Sequence, residues 1–144
     1  MSGIICGYAS VFGTPDLSGD IVMRGAFAQT LQKTNPHDVK MLYQHDLTRP
    51  IGRWQKIEET PYGLWVEGYL APHVQLAKET ASLIINGALD GLSIGFRAIE
   101  SERGRGRVRR HLQSVELVEV SIVTLPMQPQ AKITKFKSLD KNKT

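Results

Sequence analysis

Apolar and polar residues alternate along much of this chain with the period of two that marks half-buried β-strands. In "GLWVEGYL" (63–70), Leu64, Val66 and Gly68 fall on one face and Trp65, Glu67 and Tyr69 on the other. "IICGYASVF" (4–12), "VKMLYQH" (39–45) and "IGRWQKIEE" (51–59) carry the same β-branched and aromatic bias, and each ends in turn-forming residues. The "TPY" between 51–59 and 63–70 reads as a hairpin connection. A helical period appears twice. Over 24–33 Phe27 and Leu31 share a face before "TNP" stops the helix; over 74–88 Val74, Ala77, Ala81, Ile84 and Ala88 make a stripe, with Gly87 or Gly91 at its end.

The second half continues with strands at 92–102, 108–113 and 115–125, the last ended by "PMQP", since proline cannot donate to a ladder. The pattern predicts a mainly β (α+β) fold of about seven strands, mostly antiparallel, forming a small barrel with helices on its outside. One domain over 1–131 and a basic, disordered tail over 132–144 are the expected divisions.

Charge changes this picture only locally. The net charge is +4, but "RGRGRVRR" (103–110) holds five arginines and no acid, and the tail is lysine-rich, so the body of the chain is net acidic. The single cysteine, Cys6, excludes an intrachain disulfide and points to a reducing compartment. "MSGIICGYAS" lacks the basic start and apolar length of a signal peptide, and no stretch approaches a membrane span. None of His37, His45, His73 and His111 stands at a metal-ligand spacing, so neither a metal nor a cofactor is expected.

Three residues carry candidate chemistry. Ser93 in "GLSIGF" lies on the strand face opposite Leu92, Ile94 and Phe96, with Gly95 clearing space for a substrate backbone. His45 ends an apolar strand where side chains reach a cleft mouth. Glu119 sits inside the valine-rich "VELVEVSIV" and needs a partner to stay ionised, for which a histidine serves. Glu116, three residues earlier, is expected on the opposite face. A hydroxyl, an imidazole and a carboxylate are the parts of a serine hydrolase, although pattern alone does not bring them together.

The segments "GYASVFG", "SGDIVMRGAF", "YQHDLTRPIGRW", "GLWVEGYL", "GALDGLSIGF" and "LVEVSIVTLPMQPQA", in this order over residues 3–131, resemble the prohead maturation proteases of tailed bacteriophages, relatives of the herpesvirus assemblins. The resemblance implies a serine endopeptidase with a seven-stranded barrel ringed by helices. It places the nucleophile on Ser93, the base on His45 and the third member on Glu119. His111, the herpesvirus-like choice, and then Glu116 are the alternatives for that third position. Backbone at 124–128 is the expected source of oxyanion donors.

The resemblance further implies the major capsid protein and its scaffold segment as substrates, cleavage of the enzyme itself, and location inside the immature capsid in the host cytoplasm. A homodimer or higher homo-oligomer would also follow, with the 74–88 helix as its interface. The competing expectation is a non-catalytic β-barrel module, associated with capsid or binding nucleic acid through the arginine loop. The absence of aromatic residues among those arginines disfavours base stacking.

Overall fold

The computed structural model describes residues 3–139, and among these a single eight-stranded sheet curls into a half-barrel with two α-helices packed against it. The strands are β1 (Gly3–Val11), β2 (Asp20–Val22), β3 (Lys40–Tyr43), β4 (Asp46–Glu59), β5 (Gly63–Leu70), β6 (Gly91–Arg103), β7 (Arg110–Val123) and β8 (Ile133–Ser138). The helices are α1 (Ala28–Lys33) and α2 (Gln75–Asn86). Strand order is β2-β7-β3-β4-β5-β1-β8, with β6 on the remaining edge of β7. The expected antiparallel pairing holds for most neighbours, but β2 and β3 both run parallel to β7.

Strand β7 is the spine of the sheet. The stretches 108–113 and 115–125, read from sequence as two strands, form this one element because bulges absorb the breaks in alternation. One bulge matters for the site: Gly95 pairs with Glu119 and Phe96 with Leu117, so Val118 is the extra residue. The shift lets both Leu117 and Val120 reach the core. It also corrects the expectation for Glu116, which pairs with Arg97 and therefore shares the face of Glu119 rather than opposing it.

The core lies inside the curl and is centred on Trp54, Phe27, Ile51, Leu64, Leu70 and Ile122, all under 2% exposed. Trp54 satisfies its indole by donating Nε1–H to Val120 O at 3.2 Å, which ties β4 to β7 across the barrel. Helix α1 starts where the Glu59 carboxylate accepts from the amides of Gly25 and Phe27. Helix α2 buries Ala77, Thr80 and Ala81 and ends at Gly87, whose φ of 89° is a left-handed cap.

One expectation about a basic segment changes. The tail predicted as disordered from 132 onward instead contains β8, which pairs antiparallel with β1. The physical reason is that β1 has an open edge to fill, and Phe136 folds its ring over Gly3, where no side chain intervenes. Residues 140–144 of that tail lie outside the described residues. In the arginine hairpin, Arg109 and Arg110 both donate to the buried Asp20 carboxylate at 2.9–3.1 Å. Burial pushes Asp20 up, but the hydrogen bonds from Arg110 and Arg109 outweigh it and hold the carboxyl below its ordinary value.

Candidate active site

His45 stands on a hairpin. Tyr43 pairs with Asp46, which leaves Gln44 and His45 as a two-residue loop between β3 and β4. Both residues have positive φ, 53° and 60°, the signature of a type I′ turn, which favours Asn-Gly. Neither glutamine nor histidine suits this backbone intrinsically, so contacts from the rest of the fold must hold it. Gln44 supplies several of them: its Nε2 donates to Thr124 Oγ1 at 2.7 Å, its Oε1 accepts from Thr124 N, and its own amide donates to Ile122 O.

The turn brings the imidazole over β7. His45 Nδ1 lies 2.6 Å from Glu119 Oε2, and Ser121 Oγ donates to Glu119 Oε1 at 2.6 Å. The hydrogen bond to Glu119 raises the His45 pKa above its ordinary value of 6.5, outweighing the partial burial that lowers it. The Glu119 side chain is 8% exposed and the His45 side chain 42%, so the pair runs from a buried carboxylate to an accessible ring. Asp46, adjacent in sequence, turns away to Thr48 and Arg49.

Ser93 lies on the same face. Its cross-strand partner on β7 is Ser121, and Gly95 is opposite Glu119, so Ser93, Ser121 and Glu119 all point to the side that His45 covers. Ser93 is 5% exposed, yet its Oγ has no hydrogen-bond partner among the described residues and keeps a contact with solvent. Beside it opens a small recess bordered by Ala9, Val22, Phe96, Met127 and Gln128.

The two alternative third residues sit elsewhere. His111 pairs with Glu102 and Ile21, eight residues from Glu119 on the same strand, or about 26 Å at the usual rise per residue. Glu116 forms an exposed ion pair with Arg97 at 3.0 Å. Within 124–128, the Thr124 amide is committed to Gln44, while Met127 and Gln128 border the recess next to Ser93.

The family described as caudovirus prohead serine protease matches residues 1–144, the whole chain. The chain belongs to this family. Curated prohead proteases include that of Enterobacteria phage HK97, 34% identical over 142 residues, and that of Escherichia phage T5, 31% identical over 137. The alignments take in 96% and 94% of this chain but 62% and 64% of those proteins, so the chain spans a little under two thirds of their length. A fold match to KSHV protease, in complex with a hexapeptide phosphonate inhibitor, has a TM-score of 0.66 at 15% identity, covering 96% of this chain and 66% of that one. The bacteriophage T4 capsid assembly protease matches with a TM-score of 0.65 at 10% identity over 83% of this chain and 80% of that one. The prohead protease family thus accounts for the whole sequence, and the fold is that of the herpesvirus proteases.

Within this prohead protease fold, Gly95 has a different use from the one expected. The space above it holds the Glu119 carboxylate, and a Cβ there would run into Glu119 Oε2. The glycine therefore seats the acid rather than clearing a path for substrate. Gly95→Ala should push the carboxylate off His45 and, where Glu119 serves a His-activated serine, lower its labelling rate by a fluorophosphonate about 100-fold, the usual scale for misplacing such a group by an ångström. Unchanged labelling would show that the carboxylate's position is immaterial.

Proposed function

We propose that this chain is a serine endopeptidase that cleaves capsid and scaffold protein, and its own polypeptide, during prohead maturation. Ser93 is the nucleophile, His45 the general base and Glu119 the orienting acid. The observation that carries the reading is the 2.6 Å contact of His45 Nδ1 with Glu119, on the sheet face that Ser93 shares. Family membership of the whole chain supports the protease class, and the names "Prohead protease" and "Capsid polyprotein" among its relatives support the substrate class.

With Nδ1–H donating a hydrogen bond to the Glu119 carboxylate, the neutral imidazole presents its Nε2 lone pair as a base. Nε2 takes the Ser93 proton as Oγ attacks the peptide carbonyl carbon, and the resulting imidazolium gives that proton to the leaving amine. Water, activated by the same nitrogen, then hydrolyses the acyl-enzyme. The amides around Met127 and Gln128 are the candidate oxyanion donors, since those residues border the recess beside Ser93.

The test is incubation with a fluorophosphonate, followed by mass mapping of the adduct. A single covalent phosphonyl group on Ser93, blocked by prior incubation with a capsid-protein substrate, is the expected result. Failure to label, or an adduct on another residue, would overturn the assignment.

A further inference from the structure

We propose that Ser121 is a positioning residue for the proposed His45–Glu119 pair, holding the carboxylate through its hydroxyl proton and the histidine backbone through its oxygen. This rests on the Ser-His-Glu reading and extends it to a fourth side chain. Ser121 Oγ donates to Glu119 Oε1 at 2.6 Å and accepts from the His45 amide at 3.0 Å. A hydroxyl has one proton and two lone pairs, so these two bonds use it in both senses. The residue is 0% exposed, and its neighbours Val120 and Ile122 are apolar core residues; no solvent competes for either bond.

Each bond answers a freedom that the site otherwise leaves open. A glutamate carboxylate turns easily about its last torsion, so the contact of Oε2 with His45 does not by itself fix its plane. Pinning Oε1 does. The Gln44–His45 loop has an unfavourable backbone for both residues, and the Gln44 side chain clasps only its first position. The His45 amide bond to Ser121 clasps the second. Because Ser121 is also the cross-strand partner of Ser93, one residue sets the base and acid in register with the strand that bears the nucleophile.

The charged group facing the imidazole is Glu119 from β7; Lys40, paired with Glu119 in the β3–β7 register, is exposed, and Asp46 from β4 is bonded to Thr48 and Arg49. Loosening the pair should therefore show in the titration of His45. Ser121→Ala should label with a fluorophosphonate about 10-fold more slowly, the factor one charge-assisted hydrogen bond supplies, with unchanged affinity for the reagent. The His45 ring, followed by NMR in a Ser93→Ala background, should titrate at lower pH than in the same background with Ser121 intact. Ser121→Thr, which keeps the hydroxyl, should recover most of the labelling, and Ser114→Ala, at another buried serine of β7, should label normally.

Normal labelling and an unmoved His45 titration in Ser121→Ala would overturn the inference, as would a folded Ser121→Thr protein that labels no faster than Ser121→Ala. Labelling that survives Ser93→Ala or His45→Ala would instead overturn the triad itself, so the two failures are distinguishable.

Discussion

Ser93→Ala is expected to abolish fluorophosphonate labelling and to lower peptide-bond cleavage by about six powers of ten, the cost of deleting the nucleophile of a cooperative triad. Folding should survive, because the Ser93 hydroxyl has no hydrogen-bond partner among the described residues that its loss would strand. Thermal unfolding of the variant should therefore overlay that of the parent while its activity disappears. A variant that unfolds normally and still cleaves capsid protein at an appreciable fraction of the parental rate would remove Ser93 from the mechanism. On the proposed mechanism the same variant should not cut itself, so the titration of His45 can be followed in it.

The strands and the longer helix were legible because their signals are local. Alternation in 63–70 and the apolar stripe ending at Gly87 need no knowledge of the rest of the chain. The arginine cluster lies at the hairpin tip between β6 and β7. What stayed hidden depends on distant residues. The turn at Gln44–His45 lacks the glycine that advertises a type I′ loop, since its backbone is held by Thr124 and Ser121, more than seventy positions away. The bulge at Val118 breaks a valine-rich run that looks continuous, so simple alternation puts Glu116 on the wrong face. Strand β8 is lysine-rich and polar on its exposed side, so only the open edge of β1 explains its order.

The site residues divide in the same way. The stretch around Ser93 shows a hydroxyl on the face opposite Leu92, Ile94 and Phe96, and Glu119 stands out as a carboxylate inside a valine-rich run, so both signals are local. Nothing in either segment shows that β3 runs parallel to β7, yet that pairing is what carries the His45 turn to Glu119. Gly95 illustrates the point most directly: space beside Ser93 was a fair inference from the missing side chain, but a residue of the neighbouring strand fills it.

Glu119→Ala should reduce cleavage by about four powers of ten, the scale on which removing the acid of such a triad acts, and its pH dependence should reveal why. On the proposed mechanism His45 must be neutral to accept the Ser93 proton, so activity should fall as pH drops through the His45 pKa. Glu119 holds that pKa above 6.5. Without it, partial burial acts unopposed, and the acidic limb of the rate profile should move to lower pH. The activity deficit of the variant is then greatest at high pH and smaller in acid, where the parent enzyme already carries a protonated, inactive imidazole. Stability should follow the opposite trend. A histidine whose folded pKa is raised contributes stability that is fully present below its unfolded value of 6.5 and is lost as pH rises through the folded value. The parent's advantage in thermal unfolding over Glu119→Ala should therefore be largest below pH 6.5 and shrink above it. Rates and melting curves collected across that window test both signs at once; parallel trends would mean that Glu119 acts on the fold rather than on the protonation of His45.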